Sequence, residues 1–488
     1  MSEVTEAIRT APPKGERRLE DLPGPRGLPL LGNLLQLDIE HAHTIMEKWA
    51  DEHGDFYRIR LGHTDGVAIS APELIDRILK DRPGGFTRIG IMRDAFLDIG
   101  INGVFSAEGV DWRRQRKLVM QALNTNHLRE FVGRLDQVTA RLQRRWEKAA
   151  RIGVPVDVQS DLKRFTVDVT TGLAFGMDLN TLEDEGDVIQ HYLDKLFPVL
   201  ARRTLAPFRY WRYLRWGADR KVDVAMRRLL EVVQELVDTA RARPSRNDSA
   251  HRAPNLLDTM VAARSGETTA FTDSEIVGNI LILLLAGEDT TANTLAWMMH
   301  LMAEHPEAAR RMQTEADQVL GSAERVTTLE SASELRYIEA VGMEAMRLLP
   351  VAPLQGAEPT EDTLIGDVRV PKGTPIYLLA GRAAKLSATF SNPLAFEPER
   401  WLSGGHHAKD GHNSHAFFPF GGGPRMCPGR HLAMVEIKMA VAMISRNFEL
   451  TRPLGAPQPE EVFSFTMMPR NLALLLRERR GPSSARQS

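Results

Sequence analysis

Cys427 is the only cysteine in 488 residues, and it stands in Phe420-Gly421-Gly422-Gly423-Pro424-Arg425-Met426-Cys427-Pro428-Gly429-Arg430. One cysteine can neither close an intrachain disulfide nor build a multi-cysteine zinc or iron–sulfur site. By itself such a residue is most often buried and inert, but its neighbours point elsewhere. Glycines let the backbone come close to a large flat ligand. Arg425 and the amides at the start of a helix-like segment, His431 to Ser445, favour the thiolate over the thiol. That environment suits a single thiolate ligand to haem iron.

A second chemical segment, Ala286-Gly287-Glu288-Asp289-Thr290-Thr291, lies inside the longest apolar helical stretch. Acids and hydroxyls are costly in such a helix unless partnered. A threonine hydroxyl can bond back to a carbonyl one turn earlier and loosen the helix. Gly287 makes that loosening easier and leaves space above a flat cofactor. Alone, the segment reads as a helix with locally bonded threonines and a solvent-facing acid; beside Cys427 it reads as an oxygen site. Glu344 and Arg347, spaced i, i+3, share a helix face, a spacing that usually marks a weak surface pair. Trp112 and Arg116, spaced i, i+4, also share a face.

Together these segments resemble the cytochrome P-450 family. Phe420, Gly423, Arg425, Cys427 and Gly429 fill all five fixed places of its haem-binding loop, and three further family segments follow in order, so the resemblance runs from about Leu22 to Glu478. It implies a predominantly α fold with a small β part, a single large domain over residues 21–480 around a buried haem b, and flexible tails at 1–20 and 481–488. It assigns Cys427 as axial thiolate to the iron. Trp112, Arg116, Ala286, Gly287, Phe420, Gly421, Arg425 and Gly429 become cofactor-binding, with Trp112, Arg116 and Arg425 on the propionates. Thr290 would hydrogen-bond dioxygen or water, and Asp289 would relay protons. Glu344 and Arg347 would be buried and joined by Arg400, from Phe396-Glu397-Pro398-Glu399-Arg400-Trp401, as structural support for the cysteine loop. The chain departs from the family at Ala357, where an arginine to a propionate is common, and at Ala384-Lys385-Leu386-Ser387, which lacks the usual His-Arg-Asp-like sequence.

The activity implied is a monooxygenase that hydroxylates or epoxidises an apolar small molecule. It would use dioxygen and NAD(P)H-derived electrons from a separate donor, a ferredoxin or flavodoxin with its reductase, because no flavin or ferredoxin region follows residue 480. Arg113, Arg114 and Lys117 would face outward and dock that donor. Three segments would line the pocket: Arg88 to Val104, with Ile89, Ile91, Met92, Phe96, Leu97 and Ile101; Pro350 to Gln355; and Phe463 to Met468. Residue by residue, ordinary core explains these side chains as well. A peroxide-driven peroxygenase and a non-catalytic haem sensor or carrier are the alternatives. Asp289 and Thr290 weigh against the first, and they and the apolar segments against the second.

Bulk composition bounds the rest. Lys+Arg 62 against Asp+Glu 64 gives a net charge of −2, which gives no support for a nucleic-acid partner. One cysteine suggests no need for an oxidising compartment. Met1 to Glu6 lacks the basic start and apolar core of a signal peptide. The longest strongly apolar run, Ile280 to Ala286, is far short of the roughly 20 residues of a membrane span. The expectation is a soluble, cytoplasmic, bacterial-type protein without a transmembrane anchor.

Helical periods cover Trp112 to Leu123, Leu128 to Ala150, Lys221 to Ala242, Asp273 to Ala303, Pro306 to Leu320 and Leu335 to Leu349. Phe56 to Ser70 and Thr363 to Leu379 have strand character, and Leu22 to Pro29 is too proline-rich for helix. The polar run from Arg241 to Pro254 reads as a surface loop. His406, His407, His412 and His415 read as a solvated loop rather than a metal site. Arg202 to Trp216, with five arginines among aromatics, reads as a lid over the pocket, with a membrane-surface contact as the alternative.

Overall fold

The long apolar stretch folds as one helix, Asp273–Glu304, and the helical body is built around it. Its start is closed reciprocally. The Thr272 hydroxyl accepts from the Glu275 amide at 3.2 Å, and the Glu275 carboxylate accepts from the Thr272 amide at 2.9 Å, which satisfies two otherwise orphaned N–H groups. The helix is buried on nearly all sides because Val158–Phe175, Gly217–Ala242, Arg336–Leu348 and Arg430–Asn447 pack on it from different directions. The computed structural model describes residues 15–184, 188–242, 255–263, 271–402 and 413–479.

The remaining helices read from the sequence form, Pro306–Leu320 with the ends expected and Gly109–Ala122, Thr125–Ile152, Gly217–Ala242 and Arg336–Leu348 with shifted ends. Asn124 moves one start forward, because its side chain accepts from the amides of Asn126 and His127 at 2.9 and 3.1 Å. Gly153, with φ +73°, ends that helix. Ala42–His53, Val158–Phe175 and Val188–Thr204 are further helices. Val158–Phe175 is buried over most of its circumference, so no apolar stripe marked it.

The larger β part is a five-stranded sheet in the order Phe56–Leu61, Thr64–Ile69, Ile376–Leu379, Leu354–Pro359, Phe86–Thr87. The stretch of strand character from Phe56 to Ser70 is a hairpin that turns at Gly62, φ +62°, and pairs Phe56 with Ile69. Thr363 to Leu379 divides into three strands, of which only Ile376–Leu379 joins the large sheet; Thr363–Ile365 and Val368–Val370 form a separate hairpin around Gly366. Arg17–Arg18 pairs in parallel with Val368–Arg369, and the Arg17 guanidinium bonds the Asp367 carboxylate at 2.7 and 2.8 Å. Residues 17–20, expected in a loose tail, are therefore tied to this hairpin. The rest of the two tails up to residue 14 and from 480 lies outside the described residues, as do 243–254, His406, His407 and His412. Among the described residues no helix is long and apolar enough to cross a membrane, and no cluster of His, Cys, Asp and Glu could hold a metal ion.

Candidate functional site

The cysteine loop is fixed by its glycines and by the chain it lies against. Gly423 has φ +62°, and a Cβ there would stand 2.2 Å from the Leu79 carbonyl oxygen, so no other residue fits. The Cys427 amide donates to the Phe420 carbonyl at 2.8 Å, closing the loop. A Cβ at Gly421 would approach only Gln355, at 3.6 Å; that side is open enough for a flat ligand. Cys427 keeps exposed surface although chain encloses it, so its sulfur faces an internal cleft. Burial pushes the thiol up, while the Gly429 and Arg430 amides and the Arg116 and Arg430 charges pull it down. Arg116 also ties itself to the loop, donating to the Met426 carbonyl at 2.5 Å.

Three arginines converge at the edge of this loop. Arg425 lies over the Trp112 ring at 4.6 Å, donates to the Ala107 carbonyl at 3.0 Å and pairs with Glu108. Its Nε and Nη1 are buried without a partner, as are Nε and Nη2 of Arg82. Arg88 stacks on Phe105 at 3.6 Å. Burial drives the Arg88 guanidinium well down, Arg82 and Arg425 add repulsion, and Glu108 opposes them. Burial, with Arg425, brings Arg82 down to about 10. Three cations against the one carboxylate Glu108 leave a positive surplus with unspent donors. A flat iron porphyrin with two carboxylates fits this set: a sulfur for the metal, an open glycine face, and guanidinium forks for the acids. The sequence reading named Arg425 but missed Arg82 and Arg88, which no motif marks. Ala357, where an arginine is common in the family, is fully buried within the sheet and pairs with Ile376.

The central helix opens at the acid–threonine segment. Ala286 is exposed and Thr290 half-exposed within a largely buried stretch. The Thr290 hydroxyl donates back to the Ala286 carbonyl at 2.6 Å, and Thr294 repeats this to Thr290 at 2.8 Å; these are the back-bonds expected of such residues, but the helix runs through them unbroken. Gly287 turns away from this opening. A Cβ there would meet the Thr170 hydroxyl at 2.6 Å, so the glycine allows close packing on Val158–Phe175 and does not leave room for a cofactor.

Asp289 does not face solvent. Its carboxyl is 2% exposed, accepts from the Thr466 hydroxyl and lies 3.6 Å from Lys163 Nζ, which bonds the partly exposed Asp194 at 2.6 Å. Burial pushes Asp289 up; Lys163, Thr466 and Asn293 hold it down. Thr291, its neighbour but one, bonds the buried Glu436 on the helix that follows Cys427, and burial pushes that acid up to about 8. The two chemical segments are thus joined by packed helices and a direct side-chain bond.

Glu344, Arg347 and Arg400 meet in the interior. Glu344 and Arg347 have no exposed side-chain surface and bond at 2.8 and 2.9 Å; Arg400 joins at 3.1 Å. Trp401 and the Glu397 amide complete the shell of the carboxylate at 2.9 Å each. Arg347 spends its remaining donors on the carbonyls of Ala384, Pro393 and Ala395.

Phe465, at the tip of the hairpin Glu460–Ser464/Thr466–Arg470 and at φ +72°, packs with Phe96, Phe105 and Phe197, ring centroids 5.5, 6.3 and 6.4 Å away. Arg88 stacks on the same Phe105, so an aromatic cluster adjoins the arginines. Phe105 and Phe197 were not singled out from sequence. The five arginines of Arg202–Trp216 are engaged. Arg202 and Arg203 pair with Asp219, Arg209 with Asp94, Arg212 with Asp98 and Arg215 with Asp223. Arg113 and Lys117 are exposed as expected. Arg114 is not, because it folds back onto the nearly buried Glu275 and over the Phe271 ring.

Comparison with known proteins adds a family. The cytochrome P450 family model matches residues 22–476. The chain is 30% identical to cyclooctat-9-en-7-ol 5-monooxygenase of Streptomyces melanosporofaciens, over 92% of this chain and 93% of that protein. It is 25% identical to the chloroplastic protein LUTEIN DEFICIENT 5 of Arabidopsis thaliana, over 83% and 69%. The crystal structure of the cytochrome P450DA heme domain superposes with a TM-score of 0.83 at 23% identity, covering 94% of this chain and 98% of that one.

Proposed function

The chain belongs to the cytochrome P450 family and is a haem-dependent monooxygenase, and we propose that Cys427 is its axial thiolate, that Arg82, Arg88, Arg425 and Trp112 hold the haem carboxylates, and that its substrate is an apolar small molecule. The observation that carries this reading is the enclosed Cys427 sulfur beside an arginine cluster with unspent donors. Bound haem supplies dioxygen activation: one oxygen atom enters the substrate and the other leaves as water, with two electrons and two protons consumed.

The protein's own work is to orient and to supply protons. Thr290, on the half-exposed stretch of the central helix, spends its hydroxyl proton on the Ala286 carbonyl and so would accept a hydrogen bond there. Asp289 connects through Lys163 to Asp194 at the surface, a line along which protons reach the interior. That line favours dioxygen over peroxide as oxidant, since peroxide brings its own protons. The aromatic cluster around Phe465 excludes water and shapes an apolar pocket. The bacterial relative is named for a substrate with a hydrocarbon skeleton and one hydroxyl, a class this pocket suits. Electrons come from NAD(P)H through a separate ferredoxin or flavodoxin system, and the protein works in the cytoplasm.

Two experiments test the assignments. Arg88→Ala and Arg425→Ala each remove a charged hydrogen-bond donor, worth about 1.5–3 kcal/mol, so haem should pass to a haem-free globin roughly tenfold faster or more. Unchanged transfer rates would contradict the propionate role. Arg113→Glu with Lys117→Glu should slow reduction by the donor about tenfold at low salt, because like charge opposes docking; stopped-flow traces matching the wild type would sink the docking face.

A further inference from the structure

Buried polar side chains from other elements converge on the acid of the central helix. The Thr466 hydroxyl, on the strand Thr466–Arg470 and 6% exposed, donates to the Asp289 carboxylate. The same oxygen accepts from Asn293 at 3.3 Å, and Asn293, with no exposed surface, accepts in turn from Gln159 at 3.0 Å. A hydroxyl has one proton to give, so the donors of this chain all point one way, toward the carboxylate. The other carboxylate oxygen faces Lys163 Nζ at 3.6 Å. Asp194 acts on both groups from the helix Val188–Thr204, and Glu288, next to Asp289, acts on Lys163. Lys163, Thr466 and Asn293, in that order, oppose the rise that burial imposes on Asp289.

The position of Thr466 depends on the residue before it. Phe465 alone forms the hairpin tip, with Ser464 paired to Thr466 across it. Its φ of +72° is one that a bulky non-glycine residue adopts at a cost. The chain is anchored on both sides of the tip: the Phe463 amide donates to the Glu40 carbonyl at 2.7 Å, and the Met467 amide to the Val351 carbonyl at 2.8 Å. Between these anchors the strained residue is held by its ring, which packs with Phe96, Phe105 and Phe197. Two consecutive residues thus touch the aromatic cluster and the buried acid.

We propose that Thr466 is a positioning residue for the proton supply: its hydroxyl fixes which oxygen of Asp289 faces Lys163, and through Phe465 it ties that arrangement to the packing of the pocket. The proposal rests on the reading of Asp289 as a proton carrier and adds to it a donor from outside the central helix. A substrate that shifts the Phe465 ring moves the next residue, and with it the hydrogen bond on Asp289. Proton supply then answers to how the pocket is filled.

Infrared difference spectra of the haem-loaded protein read the Asp289 carboxyl directly, its band assigned by its loss in Asp289→Asn. Thr466→Val and Thr466→Ala both remove the hydroxyl. Each should raise the pH midpoint of that band by about one unit or more, because a hydrogen bond to the charged form is lost. Thr466→Ser keeps the hydroxyl and should stay near the wild type. Phe465→Gly accepts the left-handed backbone but removes the ring. It should raise the midpoint by part of that amount, and by nothing further in the Thr466→Val background, since the two residues act through one contact. Midpoints in Thr466→Val and Thr466→Ala within about 0.3 unit of the wild type, or a Thr466→Ser midpoint as high as theirs, would overturn the positioning role. A Phe465→Gly shift that is absent, or equal in the two backgrounds, would overturn the tie to the pocket. These titrations need no turnover, so they fail separately from the proton-carrier reading, which would fall to wild-type product formation in Asp289→Asn.

Discussion

Glu344→Ala is expected to lower the stability of the haem-loaded protein by about 3–5 kcal/mol, the usual consequence of leaving buried charges without their partner. Arg347 and Arg400 would keep their positive charges in the interior, and the Trp401 and Glu397 N–H groups would lose their acceptor. Because this shell holds the segment leading to the cysteine loop, the variant should also yield little haem-loaded protein. Denaturant midpoints with a common slope provide the measurement; a loss below about 1 kcal/mol would mean that the triad behaves as a surface pair. Burial pushes Glu344 up, but Arg347 and the surrounding N–H groups hold it below its ordinary value. Its contribution is therefore complete above the usual carboxylate range and disappears as pH falls through the lowered folded value.

Asp289→Asn should reduce product formation about 100-fold, within the range for loss of a positioned proton-transfer group. Substrate affinity and the rate of reduction should stay near wild type. The amide keeps the size of the side chain and can still accept from Thr466, but it cannot carry a proton between Lys163 and the oxygen site. Lys163→Met would break the same line one residue farther out and should give a smaller loss in the same direction. Turnover within about threefold of wild type in Asp289→Asn, against the 100-fold expected of a proton-transfer group, would remove Asp289 from the proton path.

What was legible in the sequence was whatever is local. The Cys427 loop, the acid–threonine segment and the Glu344/Arg347 spacing each lie within one turn or one helix, so residue type and spacing carried most of their meaning. Orientation across elements was not legible. Gly287 was read as space for a cofactor, yet the residue opposite it, Thr170, comes from a helix more than a hundred positions earlier. Arg114 was read as outward because its neighbours are, but Glu275 and Phe271, brought in by the central helix, draw it inward. Arg82 and Arg88 acquire their meaning only when strand Phe86–Thr87 pairs with Leu354–Pro359 beside the cysteine loop. Buried helices such as Val158–Phe175 carry no apolar stripe and escaped periodicity for the same reason: contact on all sides removes the pattern.

The central claim is that the Cys427 sulfur is the iron ligand, and the absorbance spectrum of the reduced, carbon-monoxide-bound protein tests it most directly, with Cys427→His measured alongside. The account predicts a red-shifted, thiolate-type Soret band in the wild type that is lost in the variant. A histidine-type band from correctly folded wild-type protein would contradict it, and the monooxygenase mechanism built on that thiolate would fall with it.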